Sequence, residues 1–126
     1  MGRKPKQSDL EERIIVSLDH SGGMLRVRGW LIEAGVRVDE AFNRFTMLGV
    51  SRFLVTCIDR DGTMGSPDVA TVRELSTRAR IMAAGGVGSL NDLKQLGEAG
   101  AEAAVVGKAL YEGRFTLPQA MEAAES

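Results

Sequence analysis

The sequence predicts an α/β fold, a (βα)4 array around one parallel four-stranded sheet, and three observations carry that prediction. Short β-branched or apolar runs alternate with segments whose apolar residues recur at helical spacing, the pattern of strands joined by crossover helices. Two of those runs, Met82-Ala-Ala-Gly-Gly-Val-Gly-Ser89 and Ala104-Val-Val-Gly-Lys-Ala109, end in glycine just before a helical segment. At 126 residues the chain also has only about half of the ~250 that a closed βα barrel normally needs.

Residues 1–12 are polar and read as a tail, at most a short capping helix around Ser8 to Glu12. Residues 13–126 read as one half-barrel domain. Arg13 to Asp19 is a β-branched run with polar borders, hence a buried strand. His20-Ser-Gly-Gly23 turns the chain, and alternation from Met24 to Trp30 suggests a short hairpin within a long loop. Val38, Ala41, Phe42, Phe45 and Leu48 share one helical face, with Gly49 placed as a C-cap glycine. Arg52 to Ile58 is the second strand, and Asp59-Arg-Asp-Gly-Thr63 the loop beyond it. Pro67 and Asp68 open a helix that runs to about Thr77. Arg80 to Ala84 is the third strand, followed by a helix capped at Ser89 and running to about Glu98. Ala103 to Val106 is the fourth strand. A helical turn near Leu110 and a last helix from Leu117, with Pro118 in the first helical position, close the order.

Composition excludes several classes. A hydrophobic fraction of 44% and a net charge of −1 suit a globular core and offer no polyanion-binding surface. The basic cluster Arg3-Lys4-Pro5-Lys6 is too short and too terminal to change this, so no nucleic-acid partner is expected. No apolar run is long enough to span a membrane, and no signal-peptide core is present. The single cysteine, Cys57, excludes an intramolecular disulfide and makes a reducing cytoplasm the default compartment. With one histidine, His20, no Cys/His cluster has metal-ligand spacing, so neither a metal nor a cofactor is expected. His20 itself reads as a solvated loop residue, and Cys57, pointing away from Thr56, as packing against the helices.

The glycine turns carry the first functional signal. Glycine lets the backbone approach an anion, and the N–H groups of the next helix's first turn face it with a favourable dipole. Gly85, Gly86, Gly107 and Lys108 are therefore candidate phosphate-binding positions, acting through backbone N–H groups rather than side-chain charge. In a βα barrel such a cradle lies in the last two βα loops.

Several separated stretches then match one family in order and spacing. They are Val16-Ser-Leu-Asp19 with Gly22-Gly23, Val27-Arg-Gly-Trp30, Thr56-Cys-Ile-Asp-Arg-Asp-Gly-Thr63, Ala84-Gly-Gly-Val-Gly88, and Val105-Val-Gly-Lys-Ala-Leu-Tyr-Glu-Gly-Arg-Phe-Thr116. Over roughly residues 13–123 the chain resembles the C-terminal half of the histidine-biosynthesis ProFAR isomerase (phosphoribosyl-formimino aminoimidazole carboxamide ribotide isomerase) family, including its relatives that also isomerise phosphoribosylanthranilate. The sister cyclase subunit of imidazole glycerol phosphate synthase shares Ile58 to Thr63 but fits Arg28 to Trp30 and Glu112 to Phe115 less well.

The resemblance implies half of a TIM (βα)8 barrel and an Amadori rearrangement, in which an aminoaldose phosphate becomes an aminoketose. That chemistry uses two carboxyl groups facing each other across the barrel mouth. Asp19 matches the family's acid, and Thr56 a residue that orients the substrate beside it. Arg28 and Trp30 match mobile-loop residues that clamp the substrate. Asp61 is either a turn former before Gly62 or a substrate and loop anchor.

The family's N-terminal half barrel is not represented in this sequence, which leaves a sheet with two bare edges and an open concave face. The expected remedy is association, with a second copy across a two-fold axis or with a complementary N-terminal half barrel. In a symmetric dimer Asp19 would face its counterpart, and each copy would bring one phosphate cradle to a ligand with a phosphate at each end. Three readings follow: a half barrel that binds phosphorylated sugars with weak or no turnover alone, an isomerase active once paired, or a non-catalytic phosphate-binding or assembly module.

Overall fold

The computed structural model describes residues 13–26, 35–59 and 66–125. Its sheet has five strands, β1 (Ile15–Ser21), β2 (Met24–Leu25), β3 (Arg52–Cys57), β4 (Arg80–Ala84) and β5 (Ala103–Ala104), in the order β2-β1-β3-β4-β5. The β1, β3, β4 and β5 neighbours are parallel, as the alternating pattern predicts. The expected sheet of four strands is corrected by β2, a short antiparallel strand on the outer edge of β1.

That extra strand follows from local backbone chemistry. Ser21 pairs with Met24 around a two-residue turn, and both turn residues, Gly22 and Gly23, have positive φ (57° and 83°). Two consecutive positive φ angles make a tight hairpin whose twist matches the flanking strands, a conformation that glycine adopts without penalty. β1 consequently runs on through His20 and Ser21 instead of turning there.

The helices are α1 (Val38–Met47), α2 (Val69–Ser76), α3 (Leu90–Glu98), the single turn α4 (Lys108–Tyr111) and α5 (Leu117–Glu125). Asp68 caps α2 by accepting the Thr71 N–H at 3.2 Å. At α3 the reciprocal box is complete: Asp92 N–H donates to the Ser89 hydroxyl, and the Asp92 carboxylate accepts from the Gly88 and Ser89 N–H groups. A second box, Thr116 with Gln119, starts α5. It places Pro118 second in the helix instead of first, where its missing N–H is still harmless. Leu48, expected on the buried face of α1, is the C-cap instead and is 73% exposed, because the helix has already ended at Met47.

Strand alternation divides the sheet into two unlike faces. Leu18, His20, Phe53, Val55, Cys57, Ile81 and Ala83 point to one side and are buried. Buried residues of α1, α2, α3, α4 and α5 join the apolar ones of this set in one core cluster, so among the described residues the helices cover a single face. Phe42 of α1 and Phe53 of β3 are fully buried with ring centroids 4.7 Å apart, and burial of each aromatic stabilises the fold by roughly 1.5–3 kcal/mol. Ser17, Asp19, Leu54, Thr56, Met82 and Ala84 point the other way and stay half-buried or exposed.

Candidate functional site

Asp19, Thr56 and Ala84 form one row across the open face. Asp19 is the register partner of Thr56 across β1 and β3, and Thr56 that of Ala84 across β3 and β4. Parallel pairing keeps partners on the same side of a sheet, so the carboxylate and the hydroxyl share that face at the C-terminal ends of their strands. Among the described residues the Asp19 side chain makes one hydrogen bond, accepting from the Ser17 hydroxyl at 3.4 Å. Its carbonyl accepts the Arg26 N–H at 2.7 Å, which ties the hairpin back to the strand. Asp19 is therefore not the cap of a turn: it sits in the strand with its carboxylate turned to the open side.

The glycine turns flank the same end. Gly85 and Gly86 follow Ala84 directly, with φ of 95° and 83°. Gly107 follows the adjacent strand β5 and caps α4, and a Cβ built on it would meet nothing within 4 Å. Lys108 lies 3.9 Å from Glu112, one turn along, so its ammonium is engaged with a neighbour on its own helix. This leaves the backbone as the candidate anion-facing part of that turn.

One refinement was hidden from residue-type reasoning. The Gly88 and Ser89 N–H groups, which begin α3, already bind the buried carboxylate of Asp92. The N–H groups of Gly86, Val87 and Gly107 make no hydrogen bond among the described residues. The candidate cradle donors thus lie one turn earlier than a simple helix-start rule would place them. Val87 joins them, and the Ser89-Leu-Asn-Asp92 box was the signal that pointed to it.

Of the remaining sequence-predicted positions, Arg28, Trp30 and Asp61 lie outside the described residues. Asp59, at the start of that last loop, accepts the Ser21 hydroxyl at 2.6 Å and links the loop to the β1 hairpin.

His20 needs correction. It is not a solvated loop residue but a strand residue, 1% exposed, beneath the helices. The hairpin is the reason: because the turn falls at Gly22-Gly23, His20 stays in β1, and strand parity sends it to the side opposite Asp19. There it is the register partner of Cys57, which is buried on the helix side as alternation predicts. Its Nε2 lies 3.5 Å from an Asp68 carboxylate oxygen.

No helix among the described residues is long and apolar enough to cross a membrane.

Comparison with known proteins adds an independent line. Residues 7–116 match the profile of the family described as histidine biosynthesis protein. A 1-(5-phosphoribosyl)-5-((5-phosphoribosylamino)methylideneamino)imidazole-4-carboxamide isomerase of Halothermothrix orenii is 42% identical over 107 residues, 83% of this chain and 45% of the relative. The same-named isomerase of Bifidobacterium adolescentis is 41% identical over 118 residues, 90% of this chain and 48% of the relative. A phosphoribosyl isomerase A of Mycobacteroides abscessus is 41% identical over 121 residues, 89% and 49% respectively. The chain spans about half the length of the curated relatives it matches.

Proposed function

The chain belongs to the histidine biosynthesis protein family, and from that premise we propose that it is a (βα)4 half barrel that binds a phosphorylated sugar at the C-terminal ends of its strands. Relatives named as isomerases of a substrate carrying two phosphoribosyl groups support the ligand class. The observation that carries the reading is the row Asp19–Thr56–Ala84 on the open face, flanked by the Gly85-Gly86 and Gly107 turns. One acid, one orienting hydroxyl and one set of unpaired backbone donors stand at the same end of one sheet.

The open face gives the second part of the proposal. Leu54 and Met82, with Val105 at 52% exposure, would lie in the interior of a closed barrel. Four further strands, from a second copy or from a complementary half barrel, would bury them and remove both bare edges. They would also set a second carboxylate opposite Asp19.

In such a closed site the chemistry balances as an Amadori rearrangement. Protonated Asp19 donates to the ring oxygen of the aminoaldose as its C1–O bond breaks, leaving a C1–N iminium. The facing carboxylate takes the C2 proton, and the C2–H electron pair forms the enolamine. Proton return to C1 and loss of the O2 proton yield the aminoketose. A lone half holds one of the two groups, so weak or no turnover is its expected activity. Two equivalent aspartates in a symmetric pair would divide the two roles, one acting as acid while the other acts as base.

Calorimetric titration of a bisphosphorylated sugar into wild-type and Gly86→Asp protein tests the binding claim. The substitution sets a negative charge and a strained φ in the cradle, and binding is expected to disappear. Equal affinity in both proteins would overturn the proposal.

A further inference from the structure

On the helix side of the sheet, directly behind the Asp19–Thr56 pair, three potential metal ligands converge from separate elements. His20 is the penultimate residue of β1, Cys57 ends β3, and Asp68 caps α2; one ligand atom of each lies within 4.8 Å of the other two. We propose that His20 Nε2, Cys57 Sγ and one Asp68 carboxylate oxygen bind a zinc-class divalent cation, which clamps the ends of β1 and β3 to the start of α2.

The geometry at His20 favours an ion over a hydrogen bond. Both ring nitrogens are buried without a hydrogen-bond partner among the described residues, an uncommon state for a buried imidazole. The 3.5 Å between Nε2 and Oδ2 of Asp68 is long for a charge-assisted hydrogen bond. It is close to the edge of a tetrahedron, about 3.3 Å, given by zinc–nitrogen and zinc–oxygen bonds of ~2.0–2.1 Å. The carboxylate is already oriented: Oδ1 accepts the Thr71 N–H at 3.2 Å, which leaves Oδ2 toward the imidazole. A ligand fixed by an outer hydrogen bond loses less freedom on binding a metal.

The donor set selects the ion. One thiolate, one imidazole and one carboxylate suit a borderline-soft, tetrahedral cation, whereas calcium and magnesium prefer oxygen donors alone. Three protein ligands leave a fourth position for water. Because His20 and Cys57 face away from Asp19 and Thr56, the ion would hold the strand ends in place and would not touch the sugar. The inference is thus independent of the proposed isomerase chemistry.

Co²⁺ titrated into untagged, chelator-treated protein tests this directly, since His20 is the chain's one histidine. One equivalent is expected to bind, with a thiolate-to-cobalt charge-transfer band in the near ultraviolet and the visible bands of four-coordinate cobalt. Zn²⁺ should displace it and bleach both. Cys57→Ser should abolish the charge-transfer band, and His20→Gln and Asp68→Asn should each weaken Co²⁺ binding at least tenfold. The absence of a charge-transfer band in the wild type, or undiminished Co²⁺ binding in His20→Gln and Asp68→Asn, would overturn the site. Should a variant fail to fold, the wild type decides: Zn²⁺ is expected to slow alkylation of Cys57 and raise the unfolding midpoint by several degrees, and no effect on either would refute the proposal.

Discussion

Asp19 and Thr56 are register partners on the open face of the sheet, while the pair one residue later, His20 and Cys57, faces the helices. One step along two parallel strands therefore separates the proposed sugar-binding side from the proposed metal side.

Asp19→Asn should remove catalysis without harming the fold. Among the described residues the side chain's one hydrogen bond is a long contact to Ser17, so the unfolding midpoint is expected to change little. General-acid loss typically costs about 10²–10⁴-fold in rate. The check is isomerase turnover of the chain paired with a facing half barrel, beside thermal unfolding of the same variant. An unchanged rate would show that the acid lies elsewhere.

Association should depend on the apolar residues of the open face. Leu54→Glu sets a charge where a closing half barrel would pack, and burial of an unpaired charge is strongly disfavoured. In sedimentation equilibrium the wild type is expected to form a dimer or larger assembly, or to pair with a supplied N-terminal half, and the variant to do neither. A wild type that stays a monodisperse monomer in both mixtures would contradict the barrel-closure proposal.

Gly107→Ala separates ligand space from folding. Among the described residues a Cβ here meets no atom within 4 Å beyond its chain neighbours, so the unfolding midpoint should move little. If a phosphate approaches that backbone, the added methyl should weaken affinity for a bisphosphorylated sugar about tenfold, equivalent to roughly 1.4 kcal/mol. Calorimetry of wild type and variant side by side measures it.

The core makes a prediction free of any functional reading. Phe53→Ala removes a fully buried ring stacked at a tilt on Phe42, and such truncations cost about 3–5 kcal/mol. Ser89→Ala opens the α3 capping box at a cost of about 1 kcal/mol. Chemical denaturation should rank the two in that order.

Local chemistry was readable from residue order alone. Arg80 to Ala84 is a strand with the boundaries that its apolar run and the glycines after it indicate, and Ser89 caps α3 because its hydroxyl and the Asp92 carboxylate stand only three positions apart. The parallel order of the long strands follows in the same way from their alternation with helices, and the family from motifs that keep their spacing. Such features depend on neighbours a few positions apart, which the order of residues states outright. His20, Cys57 and Asp68 show the opposite case. Their spacing fits no metal motif, and His20 seemed to belong to a loop until two positive-φ glycines moved the turn beyond it. Which residues share a face, which side that face takes, and which distant side chains meet there are set by strand register and packing, so only the folded chain could bring these three together.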